Sequence, residues 1–142
     1  MLPESMELII VTPTRQLVRT GAREVTLPGA NGYLGILPGH APLMTELGIG
    51  ELTFRGTGQT ELSVIRGFAE VLPDRVTVLA ETAELAAEID LERAEAAKAR
   101  AQKRLAAGDP NIDWDRAGVA LQRALIRIQV ARKYRSVPAN SH

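Results

Sequence analysis

Up to about residue 85 the apolar positions of this chain recur every second residue, and beyond it they recur every third or fourth. Val25 and Leu27 alternate with Glu24 and Thr26, and Leu52 and Phe54 with Glu51, Thr53 and Arg55. Val76, Val78 and Ala80 form a third such set after the turn Leu72-Pro73-Asp74-Arg75. A period of two marks strands with one buried face. Gly56-Thr57-Gly58-Gln59 reads as a hairpin connection into a strand near residues 60–66. The densest punctuation lies between Leu27 and Leu43, where four glycines and three prolines stand among large aliphatic residues. Glycine reaches backbone angles closed to other residues, and proline fixes φ and removes a donor, so this stretch alternates short apolar runs with forced turns. Many short strands predict a β-sandwich or flattened barrel across about residues 5–85.

The back of the chain predicts two helices. Asp90 is placed to cap the first, with Glu92 and Glu95 near its positive end, and Gly108-Asp109-Pro110 stops it. Asp113 is placed to cap the second, expected from about Trp114 to Tyr134, with Pro138 in the tail. So short a connection makes the pair an antiparallel hairpin. Trp114, Ala117, Leu121, Ala124, Ile128 and Ala131 follow a coiled-coil spacing, and Ala94, Ala97, Ala101 and Leu105 supply the facing stripe. Alanine buries little: about 0.8 kcal/mol per methyl, against roughly 1.5–3 for a leucine or isoleucine side chain. Ordering each residue costs about 1–2 kcal/mol of backbone entropy. The hairpin is therefore expected to be marginal alone and able to leave its resting place.

Composition changes the picture in two ways. The chain has no cysteine, which excludes disulfides, thiolate catalysis and cysteine-held metals. No apolar run approaches the roughly 18 residues of a membrane span, and the acidic start does not resemble a targeting peptide. The net charge of zero conceals an asymmetry: residues 1–90 hold 12 acidic and 6 basic side chains, and residues 91–142 hold 5 and 11. Such a division points to a partner surface.

Signals of bond chemistry are thin. His40 sits in a turn between Gly39 and Ala41-Pro42, where a backbone or interface hydrogen bond is expected, and His142 is the last residue. No phosphate loop, nucleophile elbow or metal-ligand spacing is present. The acidic run Glu81, Glu84, Glu88 and Asp90 reads as a solvated linker and helix start. Arginine is more informative. Arg93, Arg100 and Arg104 stand at intervals of seven and four, and Arg116, Arg123 and Arg127 repeat them. Each helix thus carries an arginine stripe. The planar guanidinium fork suits carboxylate or phosphate, so the stripes could clamp acidic protein side chains or a nucleotide triphosphate. A basic adaptor for nucleic acid is a third option, but no aromatic platform or reading motif accompanies the charge.

The order of these residues carries a resemblance. Leu27-Pro28-Gly29, then Gly35-Ile36-Leu37-Pro38-Gly39-His40-Ala41-Pro42-Leu43, then Gly67-Phe68-Ala69-Glu70-Val71 and Val76-Thr77-Val78-Leu79-Ala80 occur in sequence. Together they closely resemble the ε subunit family of F-type ATP synthases, equivalent to the mitochondrial δ subunit, over roughly residues 6–135. Arg66 departs from the pattern, since many relatives have a second glycine there, and Glu81-Thr82 replaces an acid followed by alanine.

The resemblance implies a ten-stranded β-sandwich (residues 1–86) followed by a two-helix hairpin (residues 87–142). It implies a non-catalytic rotor subunit of a proton-translocating enzyme, on the cytoplasmic face of a bacterial inner membrane. The sandwich would bind the γ subunit and sit on the ring of c subunits, with Tyr33 in the ring-facing loop and His40 and Pro42 in the segment associated with γ. Arg116, Arg123 and Arg127 would set basic side chains against the catalytic β subunits and restrain ATP hydrolysis. Ile89-Asp90-Leu91-Glu92-Arg93-Ala94 matches a motif with which some members hold regulatory ATP. That likeness implies a site formed by Glu84, Ile89, Asp90, Arg93, Ala94, Arg100, Arg123 and Arg127, no cofactor being required otherwise.

Overall fold

In a computed structural model, which describes residues 3–136, the chain divides into two compact units, Met1–Leu85 and Ala86–His142. His142 and Pro138, singled out above, lie outside the described residues. The first unit is built from β1 (Met6–Val11), β2 (Gln16–Ala22), β3 (Glu24–Gly29), β4 (Gly32–Ile36), β5 (Leu43–Arg55), β6 (Gln59–Leu72) and β7 (Arg75–Leu85). They form one sheet in the order β2-β1-β7-β6-β5-β3-β4. Neighbours run antiparallel except β1 and β7, which are parallel.

The expected alternation is present. Met6, Leu8 and Ile10 are buried, as are Val25 and Leu27, Leu52 and Phe54, and Val76, Val78 and Ala80. Glu51, read as an outward residue, is an exception and is buried. Turns follow the punctuation: Pro73-Asp74 joins β6 to β7, and Gly56-Thr57-Gly58 joins β5 to β6, where the Gly56 amide donates to the Gly58 carbonyl.

The inward face changes phase along three strands. In β6 the buried positions pass from Leu62 and Val64 to Ala69 and Val71, and in β5 from Leu47 to Leu52 and Phe54. In β7 they pass from Val76, Val78 and Ala80 to Ala83. The switch falls on one row, Gly48, Arg66 and Glu81, whose members are missing from otherwise continuous pairing. Arg66 has φ +53° and Gly67 φ +144°, a left-handed excursion in the middle of β6, while β5 and β7 change phase in the same row without one. We read this row as a crease along which the single sheet folds over its own core. Residues from both sides of it join one contiguous buried cluster.

Among the described residues the strands number seven, where ten were expected. β5, β6 and β7 are 13, 14 and 11 residues long and pass through the crease without losing register. The acidic run is likewise not a linker: Glu81 and Glu84 lie in β7, and Glu88 ends a short 3-10 turn, Ala86–Glu88.

The second unit contains α1 (Leu91–Ala106) and α2 (Trp114–Ser136). Asp90 caps α1, its Oδ1 accepting from the Arg93 amide at 3.1 Å, and Asp113 caps α2 by accepting from the Arg116 amide at 3.0 Å. Gly108, just past the end of α1, has φ +69°, the left-handed setting that ends a helix and favours glycine. Ala94, Ala101, Ala117, Ala124, Ile128 and Ala131 are buried, while Ala97, Leu105 and Leu121 are half-buried.

Trp114 departs from the expected seam and is 59% exposed. Arg132 of α2 pairs with Glu95 of α1, and an antiparallel register set by that pair brings the end of α1 opposite about Leu121. Trp114 lies roughly two turns farther along α2, beyond the reach of α1.

Candidate interaction surfaces

No group of metal-ligating side chains occurs among the described residues, and no helix there is long and apolar enough to cross a membrane. What the chain presents is surface of three kinds.

The first is the β3–β4 tip and the loop after it. Gly29 pairs with Gly32 across Ala30-Asn31, and the Ala30 amide donates to the Glu46 carbonyl at 2.9 Å. Tyr33 follows, 59% exposed, and its hydroxyl accepts from the Glu51 amide at 3.1 Å. In the next loop the Gly39 amide donates to the Pro73 carbonyl at 2.7 Å, and the His40 amide donates to Leu37. His40 Nδ1 lies 2.6 Å from the Ala41 carbonyl oxygen. A carbonyl only accepts, so Nδ1 carries the proton. The ring thus pins its own loop, and Leu37 and Pro42 remain exposed beside it.

The second surface was not foreseen from the sequence. Phe68 and Leu79 are paired across β6 and β7 and are both exposed, as is Met44 on β5. They belong to the outward face of a sheet whose inward face already holds Ala69, Val71 and Val78. Phe68 and Leu79 line a groove of about 760 Å³ with Val11, Pro13, Arg66 and Glu81. The signal was available: Leu79 lies between Val78 and Ala80, and an unbroken apolar run means a strand apolar on both faces.

The third is the hairpin. Arg93, Arg100, Arg104, Arg116 and Arg123 are exposed, and Arg127 is half-buried. Within the motif Ile89–Ala94, Ile89 and Ala94 are buried, Asp90 is the cap, and Arg93 contributes its backbone amide to that cap. Glu84 belongs to β7, in the first unit. Arg132 and Arg135, not singled out from the sequence, also make contacts near the end of α2. Arg132 Nη2 donates to Glu95 Oε1 at 2.6 Å, and Arg135 donates to the carbonyls of Ile89 at 2.8 Å and Ala131 at 3.2 Å. No spacing rule announces them, because they depend on how far α2 extends back along α1.

A strand-rich body followed by a capped antiparallel hairpin defines a two-part architecture. Two family descriptions match the two parts: "ATP synthase, Delta/Epsilon chain, beta-sandwich domain" over residues 5–86 and "ATP synthase, Delta/Epsilon chain, long alpha-helix domain" over residues 87–132. The chain is 53% identical over 110 residues to the ATP synthase epsilon chain of Koribacter versatilis, covering 77% of this chain and 78% of that one. It is 47% identical over 133 residues to that of Solibacter usitatus, covering 93% and 99%. Its fold is similar, with a TM-score of 0.79 and 21% identity, to a chain of the Euglena gracilis mitochondrial ATP synthase in an OSCP/F1/c-ring assembly, covering 92% of this chain and 83% of that one. The chain belongs to the ε subunit family of F-type ATP synthases.

Proposed function

We propose that this chain is a non-catalytic rotor subunit of a proton-translocating ATP synthase, held at the cytoplasmic face of a bacterial inner membrane through its complex. The β-unit grips the γ subunit and rests on the ring of c subunits, using the β3–β4 tip with Tyr33 and the loop with His40 and Pro42. The hairpin is a brake: its exposed arginines, Arg116 and Arg123 with Arg127 beside them, meet acidic side chains of the catalytic β subunits when it extends. The observation that carries this reading is the match of both parts, in order, to a two-domain family over nearly the whole chain.

The physical basis of the brake is a seam made mostly of alanine, which gives two long helices little burial to hold them together. Opening exchanges that seam, the Arg132–Glu95 pair and the bond from Arg135 to the Ile89 carbonyl for charge pairs on a partner. The Ile89–Ala94 segment favours an added role, in which ATP on Asp90, Arg93 and neighbouring arginines biases the hairpin toward its folded form. The test is purification of the tagged chain from its host: γ and the c ring should accompany it. Recovery without either would overturn the proposal.

A further inference from the structure

The pairing of β3 with β5 contains a jump. Thr26 lies opposite Thr53, but Gly29 lies opposite Leu47, so Leu27 and Pro28 face the longer segment from Gly48 to Leu52. Pro28 has no amide to donate, and the ladder cannot close there. The Glu51 amide instead donates to the hydroxyl of Tyr33, on the neighbouring strand β4. The phenol oxygen accepts in this bond, which therefore does not use the hydroxyl's own proton.

Gly50 makes this arrangement possible. A Cβ at Gly50 would lie 2.6 Å from Pro28 Cβ and 2.8 Å from the Tyr33 hydroxyl, closer than such atoms approach. The tip of the Tyr33 ring therefore occupies space that any other residue at position 50 would fill. Pro28, paired with Tyr33 across the strands, is buried although it follows the buried Leu27. Tyr33 is thus tied at its far end and 59% exposed.

We propose that Tyr33 is a preset anchor of the ring-facing contact. Gly50 and the Glu51 amide fix the ring against the sheet, so that its open face and its hydroxyl meet the ring of c subunits already oriented. The proposal rests on the reading above that the β3–β4 tip meets that ring. The matching chemistry on the partner is a loop with an exposed carbonyl or carboxylate oxygen and enough apolar surface to cover an aromatic face. An aromatic anchor fixed before encounter avoids the ordering cost that a loose side chain imposes on binding.

The experiment uses the full-length chain with Tyr33→Phe, Gly50→Ala and Tyr33→Ala, measuring amide exchange in the free protein and affinity for a purified γ–c-ring subcomplex. Tyr33→Phe should speed exchange at Glu51, lower the thermal midpoint by no more than about 8 °C, and weaken binding about three- to tenfold, the size of one net hydrogen bond. Gly50→Ala should weaken binding as much although Tyr33 is intact, and adding Tyr33→Phe to it should cost little more. Tyr33→Ala should be the weakest of all. If Tyr33→Ala weakens binding but the other two bind as the parent does, the contact stands and its presetting is wrong. If Tyr33→Ala also binds normally, the ring-facing reading fails with it. Should Gly50→Ala not fold, exchange at Glu51 and affinity in Tyr33→Phe decide the matter alone.

Discussion

Replacing Gly67 by alanine should damage the β-unit more than its size suggests. A Cβ there would lie 2.0 Å from the Leu79 carbonyl oxygen and 2.8 Å from the Ala80 Cα, at a φ of +144°. That φ alone costs a residue with a side chain about 1–3 kcal/mol. The collision is with the backbone of β7, an interior strand of the sheet, so no side-chain rotation relieves it. Opening the adjacent β6–β7 pairing to make room forfeits one or two ladder bonds, each worth about 0.5–1.5 kcal/mol net. A loss of roughly 3–5 kcal/mol follows, out of the about 5–15 that hold a domain together. For a unit of this size it corresponds to a midpoint lowered by more than about 12 °C. The assay is urea and thermal unfolding followed by far-ultraviolet circular dichroism. Gly58→Ala is the control, since nothing lies within 4 Å of its Cβ position and it should be neutral or slightly stabilising. A Gly67→Ala protein within about 0.5 kcal/mol of the parent, inside the ordinary range for surface changes, would refute the crease as described.

Three further outcomes follow from the hairpin. Asp90→Ala removes the cap of α1 and should cost about 1 kcal/mol, seen as faster amide exchange in the first turn, whereas Asp90→Asn should retain most of it. Because Arg93 contributes to that cap only through its backbone, Arg93→Ala should leave the first-turn exchange unchanged while abolishing any heat of ATP binding in calorimetry; binding at parental strength would remove Arg93 from the nucleotide site. The Glu95–Arg132 pair is more than two-fifths exposed on both sides, so a double-mutant cycle should return at most about 1 kcal/mol and shrink with salt. A salt-insensitive coupling above about 2 kcal/mol would contradict that.

The period-two alternation of Val25, Leu27, Leu52, Phe54, Val76 and Val78 made the strands legible, because one face of each lies on the core. Both helix caps were legible for the same local reason: Asp90 and Asp113 need only reach an amide three residues on. What escaped was set by distant pairing. The crease depends on three strands changing phase at one row, which no local pattern announces. Trp114 fitted the heptad spacing, yet its exposure depends on where α1 stops. Tyr33 was identified as a surface residue by likeness alone, while its bond to the Glu51 amide exists because β3 and β5 lose register at Pro28. Arg132 and Arg135 were passed over for arginines with better spacing, since a bond to the Ile89 carbonyl has no signature in a linear string.

The central claim is that the β-unit holds the rotor and the helical unit restrains it. Its most direct test is ATP hydrolysis by the assembled enzyme when the chain ends at Asp90. The truncated subunit should still copurify with γ and the c ring, and hydrolysis should rise above that of the complete enzyme. Hydrolysis at the parental rate, with the shortened subunit demonstrably in place, would contradict the claim.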